Sequence, residues 1–318
     1  MIRIKHLGLA AAVIIVAWFA ASLTLFPAMA ISVADNPVTE TPDKLGIEFE
    51  NIRVTSKTDE GTIELAGWWM PAEHPKAILL FSHGAGSNRT SWFLPSIEFY
   101  AYMVRQGISV ITVDMRNHGN SPKTDGTLGM GAEEWPDALA MANWLDDHGH
   151  TELPRIAMGI SMGGATTIHA VHEGLAVEGI ILFDPALNTA DALAQGGWIS
   201  FGLPPILFAP YAWATTTFWG LPRGDNDALM RAIAIDQPTL LIQDPTDPIT
   251  RRPYAEELAA GNASVEIALA PQTPADAECL AGKGRWGAHV AAFKCHEDWT
   301  KNILNEFLAK LIKSEAQG

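Results

Sequence analysis

The sequence predicts an α/β chain with a mostly parallel central sheet and helices on both faces. Three observations predict it. Apolar runs at 77–82, 108–113, 179–183 and 239–242 are continuous rather than alternating, as in strands covered on both faces. Helical stretches at 97–105, 133–146 and 161–172 fall between such runs, and strand–helix alternation builds a parallel sheet. A serine bracketed by glycines, Gly159-Ile160-Ser161-Met162-Gly163, stands where a short strand at 155–158 turns into one of those helices.

The chain begins with Arg3, Lys5 and His6, followed by an apolar run over 7–26 broken only by Ser22 and Thr24. Ala28-Met29-Ala30 offers an A-x-A cleavage site, so residues 1–30 are read as a signal peptide or a retained membrane anchor. Either reading exports the remainder: anchored and facing the periplasm or outside, or secreted if the leader is cleaved. The basic start stays cytoplasmic. Residues 31–46, with Pro37 and Pro42, read as a linker, and 47–318 as the catalytic domain. Within it, 47–54 and 62–69 read as strands joined by the turn Asp59-Glu60-Gly61, an N-terminal β-hairpin. Residues 187–235 break the alternation. They hold Trp198, Phe201, Trp213, Phe218 and Trp219 among repeated prolines, and read as an inserted apolar cap or as an extra piece of core. A helix over 252–260 follows, and the last, over 298–313, carries Trp299, Ile303, Leu304, Phe307, Leu308 and Leu311 at helical spacing.

Composition narrows the function. A net charge of −15 argues against a nucleic-acid partner, since phosphate binding needs clustered Lys and Arg. The 2 cysteines, Cys279 and Cys295, would meet an oxidising compartment and can pair as a disulfide around a loop containing His289. No C-x-x-C pair or His cluster at zinc spacing occurs, so no metal is expected.

The chemistry centres on Ser161. A serine hydroxyl is a weak nucleophile unless a base takes its proton and a carboxylate orients that base. On a strand–turn–helix elbow the partners follow in the order serine, acid, histidine. Asp247, in the loop after the 239–242 strand, is the acid; Asp244, nearer the strand, is its rival. Only His289 and His296 follow the acid. His289 lies after a Gly-rich loop and is the base; His296 sits in a charged helix start. An oxyanion hole needs two backbone N–H groups. Met162, directly after the serine, supplies one, and Ala85, in the loop His83-Gly84-Ala85-Gly86-Ser87, the other, with Gly86 as the alternative.

These residues together resemble the serine α/β-hydrolase family over roughly 45–313. The likeness rests on His83-Gly84-Ala85-Gly86, on Gly159-Ile160-Ser161-Met162-Gly163, on Asp247 and His289, and on Asp114-Met115-Arg116-Asn117-His118-Gly119-Asn120-Ser121. The last looks like the family's D-x-R-G-H-G-x-S loop, with Asn117 where glycine is usual. Gln243-Asp244-Pro245 likewise departs from the pair usual before the acid. The hairpin ending Gly67-Trp68-Trp69-Met70-Pro71 is similar to a branch with a short N-terminal membrane segment. The resemblance implies an α/β-hydrolase fold and a serine hydrolase with no cofactor. The expected activity is that of a carboxylesterase on small-molecule esters with an apolar acyl or alkyl group. A peptidase or thioesterase of the same fold is the alternative, and a non-catalytic lipid-binding protein a distant one.

Overall fold

The computed structural model describes residues 2–91 and 93–315. The side chains of Arg3 and Lys5, the basic start of the leader, fall outside the description. Among the described residues eight strands form one sheet: β1 (Glu50–Thr58), β2 (Gly61–Met70), β3 (Ala77–Ser82), β4 (Ile108–Val113), β5 (Arg155–Ile160), β6 (Gly179–Phe183), β7 (Thr239–Gln243) and β8 (Val265–Leu269). The helices are α1 (Ile2–Leu23), α2 (Leu25–Ile31), α3 (Ser96–Arg105), α4 (Trp135–Asp147), α5 (Met162–His172), α6 (Thr189–Phe201), α7 (Ala209–Phe218), α8 (Ala228–Ile233), α9 (Arg252–Gly261), α10 (Ala292–Cys295) and α11 (Glu297–Glu315).

The strand order is β1-β2-β4-β3-β5-β6-β7-β8. β1 and β2 form the antiparallel hairpin, β2 pairs antiparallel with β4, and every later pairing is parallel. The continuous apolar runs are the covered strands: all residues of β3, β4 and β6 are buried. One core layer packs Ile78, Leu80 and Ile111 against α4 and α5; the other packs Leu79, Phe81 and Val110 against α3 and α11. Alternate residues of one strand thus serve opposite layers, as the pleat requires.

Most element ends lie within two residues of the sequence reading, and the larger or more consequential differences are these. β1 starts at Glu50, where its ladder with Trp69 begins, and extends to Thr58. α5 begins at Met162, leaving Ser161 on the turn itself. β8 has no counterpart in the sequence reading; it is a half-exposed edge strand of five residues, too mixed for periodicity to mark it.

Residues 31–46 cross the body in contact with it. Ser32 bridges Thr127, Leu128 N–H donates to Ile31 O at 2.8 Å, and Val33 N–H donates to Gly126 O at 2.9 Å. Residues 187–235 supply α6, α7 and α8 between β6 and β7, with Pro210 in the first turn of α7, where its missing N–H costs nothing.

Candidate active site

Ser161 occupies the tight turn between β5 and α5 with φ 53° and ψ −122°, a left-handed conformation rare outside glycine. The flanking glycines make that turn possible. A Cβ on Gly159 would lie 2.0 Å from Gly163 O, and one on Gly163 would lie 2.1 Å from Ser82 O and 2.4 Å from His83 O. These are backbone atoms with nowhere to go. Gly163→Ala is therefore expected to cost about 3 kcal/mol or more. Denaturant unfolding of the two proteins checks this, and an unchanged midpoint would refute the steric account.

The three predicted side chains meet. His289 Nε2 lies 3.0 Å from Ser161 Oγ, and His289 Nδ1 lies 2.7 Å from Asp247 Oδ2. A carboxylate only accepts, so Nδ1–H donates and Nε2 is left to accept from the serine hydroxyl. Asp247 is held rigidly: Oδ1 accepts from Ile249 N–H at 2.7 Å and Oδ2 from Thr250 Oγ1–H at 2.5 Å. The rival Asp244 turns elsewhere, accepting from the N–H and hydroxyl of Thr246 at 2.8 and 2.7 Å. His296 lies 2.9 Å from Thr273 Oγ1. His289 itself is buried, with the rings of Phe93 and Trp286 at 5.4 and 5.8 Å.

The predicted oxyanion donors flank the serine. Met162 N–H opens α5, and Ala85 shares the pocket wall with Ser161. Neither N–H has an acceptor among the described residues. Gly86 N–H is committed, donating to His118 Nε2 at 3.1 Å. His118 Nδ1 lies 2.8 Å from Arg116 O, and His83 sits between Gly84 O at 2.9 Å and Met115 N–H at 3.0 Å. Each ring thus donates from Nδ1 and accepts at Nε2, which requires the neutral form. Burial lowers both pKa values, His83 well below the usual 6.5. The Asp114–Ser121 loop thereby holds the His83–Ser87 loop in place. Asn117 in that loop has φ 68°, a conformation asparagine tolerates, and its Oδ1 accepts from Thr124 and Gly126 N–H. The departure from glycine is structurally accommodated.

Sequence reasoning missed three supporting residues. Asp184, at the end of β6, accepts from Asp244 N–H at 2.8 Å and from Val290 N–H at 2.9 Å. It ties the acid's loop to the segment carrying the histidine. Burial, then the adjacent Asp247, pushes its carboxyl well above the carboxylate range. Its place at a strand's carboxyl end was the available signal. Lys283 donates from Nζ to His289 O at 2.9 Å, and burial lowers its pKa to about 8. Nothing in the sequence marked it.

Glu134 is the third. Its carboxyl accepts from Gly129 N–H at 2.7 Å and Gly131 N–H at 2.8 Å, fixing Met130 (φ 51°) in the pocket wall. Burial outweighs those donors and raises its pKa from the usual 4.5 to about 7. The folded state therefore holds this proton more tightly than the unfolded chain. The stability this supplies is full below pH 4.5 and lost as pH rises through about 7. Relative to Glu134→Gln, the native chain should lose on the order of 3 kcal/mol between pH 4.5 and pH 8, at about 1.4 kcal/mol per unit. Urea midpoints of both proteins across that range check it; parallel curves would contradict it.

Cys279 and Cys295 form a disulfide, 5.4 Å between Cα atoms and 16 residues apart, around the loop that carries His289. Closing a loop of that size contributes about 3 kcal/mol. Cys279→Ser with Cys295→Ser should lower unfolding stability by that amount, measured in urea; equal stability would show the bridge to be idle.

The serine opens into an apolar cavity of about 340 Å³, walled by Met162 and Trp286 from the body, by Phe201, Phe208 and Tyr211 from 187–235, and by Phe26 from α2. Among the described lining residues none is charged.

An esterase of Pyrococcus furiosus superposes with a TM-score of 0.71 at 20% identity, covering 89% of this chain and 97% of that one. Residues 73–206 match the family described as serine aminopeptidase, S33. The chain is a hydrolase of the α/β-hydrolase fold. A thermophilic esterase from Thermogutta terrifontis aligns with this hydrolase at a TM-score of 0.57 and 17% identity, over 82% of this chain and 99% of that one. The acylaminoacyl peptidase of Pyrococcus horikoshii aligns at 0.55 and 18%, over 83% of this chain and 42% of that one. These structures are similar in fold. No curated protein matches the sequence.

Proposed function

We propose that the chain is an exported serine carboxylesterase for esters with an apolar acyl or alkyl group. The observation that carries the reading is the hydrogen-bonded series from Ser161 through His289 to Asp247, opening into an apolar cavity. In the proposed reaction Ser161 Oγ bonds to the acyl carbon while its proton passes to His289 Nε2. Charge on the former carbonyl oxygen is taken up by the N–H groups of Met162 and Ala85. The carbon–oxygen bond to the alcohol then breaks, and His289 returns its proton to the departing oxygen. Water, deprotonated by His289, attacks the acyl-enzyme and releases the acid and Ser161. Asp247 stays ionised, holds the ring's tautomer and stabilises the imidazolium.

The family description and one structural neighbour raise a peptidase instead. An aminopeptidase must pair its substrate's ammonium group with a carboxylate or similar acceptor, and no Asp or Glu is among the described lining residues. Apolar walls favour an uncharged acyl chain. A panel of p-nitrophenyl esters, acyl thioesters and aminoacyl anilides tests the reading. It requires kcat/KM to be highest for esters of medium chain length. Preference for the anilides or the thioesters would replace it.

A further inference from the structure

The N-terminal leader is packed into the body of the protein. Trp18 Nε1–H donates to Leu207 O at 3.0 Å, and Trp219 Nε1–H donates to Leu23 O at 3.4 Å, so α1 is tied to the residues just before and just after α7. Ser22 is fully buried there. Phe26 is the hub of an aromatic cluster, with ring centroids 5.2 Å from Trp18, 5.8 Å from Phe201 and 6.4 Å from Tyr211. Phe26, Met29 and Ala30 line the same cavity as Ser161. Directly downstream, Ile31 and Val33 are buried and bonded to the 126–128 loop.

We infer that residues 25–30 remain in the mature protein and form one wall of the acyl-binding cavity. This rests on the serine-hydrolase reading above. Cleavage after Ala30 would remove Phe26, Met29 and Ala30 together and leave the faces of Phe201, Phe208 and Tyr211 open to water. Retention also explains the surface. Residues 6–31 are long and apolar enough to cross a membrane, and only 6% of their apolar window is buried. The segment that α1 touches exposes Ile206, Trp213 and Phe218 at 76%, 52% and 66%. Exposed apolar side chains grouped in this way mark a membrane or partner contact. A retained α1 in a bilayer puts them at its surface. The ligand this wall suits is a medium-length apolar acyl chain, met at the membrane face.

Two arms test the inference on the full chain purified from membranes. The first reads the N-terminus by mass spectrometry. Peptides containing Phe26 and Met29 joined to Ile31 support it; a mature N-terminus at Ile31 or beyond overturns it. The second compares labelling rates of Ser161 by a decyl and an ethyl fluorophosphonate, which does not depend on the leaving group. Filling the wall with Met29→Trp should lower the decyl-to-ethyl rate ratio at least tenfold, and opening it with Phe26→Ala should raise the ratio about fivefold. Opposite shifts cannot come from a shared loss of folding. An unchanged ratio in both variants, with Ser161 still labelled, overturns this inference alone. Failure of both probes on the folded native chain overturns the hydrolase mechanism, and this inference with it.

Discussion

Replacing Ser161 by alanine should abolish ester hydrolysis, with kcat falling by on the order of 10⁴- to 10⁶-fold. Removing the nucleophile of a unit that acts together costs nearly as much as removing the whole unit. The fold should survive. Alanine deletes one hydroxyl, and the backbone strain at φ 53° is imposed by the turn between β5 and α5. Burst-free turnover of p-nitrophenyl esters and an unfolding curve on the same sample check both halves. Residual activity above about one hundredth of native would mean that another group attacks the ester. His289→Ala should match it, because Nε2 at 3.0 Å is the nearest base to the hydroxyl proton.

The second large effect separates two neighbouring carboxylates. Asp247→Asn should lower kcat by about 10⁴-fold, because an amide at this position can present its NH₂ to Nδ1 and select the wrong imidazole tautomer. Asp244→Asn should change kcat by less than about threefold, since Asp244 caps Thr246 and does not touch the ring. Burial raises the Asp244 carboxyl, with the bonds from Thr246 opposing that shift, so removing its charge relieves the burial penalty while weakening those bonds. The kcat values of the two variants, compared at equal folded fraction, decide between the carboxylates. Equal losses would mean that the acid's role is shared.

The parts of this fold that were legible in the sequence are those fixed by local chemistry. β3, β4 and β6 appear with the ends their apolar runs predicted, because a strand covered on both faces has no polar positions to blur it. The serine turn was legible because only glycine fits where Gly163 faces Ser82 O. The order of Asp247 and His289 followed from chain topology. The choice of Asp247 over Asp244 could not be read with the same force, since both follow β7 within four residues and only side-chain direction separates them. β8 was lost because Val265–Leu269 alternates weakly at a sheet edge. Asp184 and Lys283 act through backbone atoms of distant segments, and such partners leave no periodic trace. The apolar leader was legible as a helix long and apolar enough for a signal or a membrane anchor. Its contact with α7 was not, because apolar packing carries no pairwise code and Phe26 reads like any other leader residue.

The hydrolase account stands on one proton path, from Ser161 through His289 to Asp247. It is tested most directly by treating the folded full chain with a fluorophosphonate and sequencing the modified peptide by mass spectrometry. The account predicts one adduct, on Ser161, formed at a rate that falls at least a thousandfold in His289→Ala. An adduct on another residue, or labelling of Ser161 that proceeds equally without His289, would contradict it.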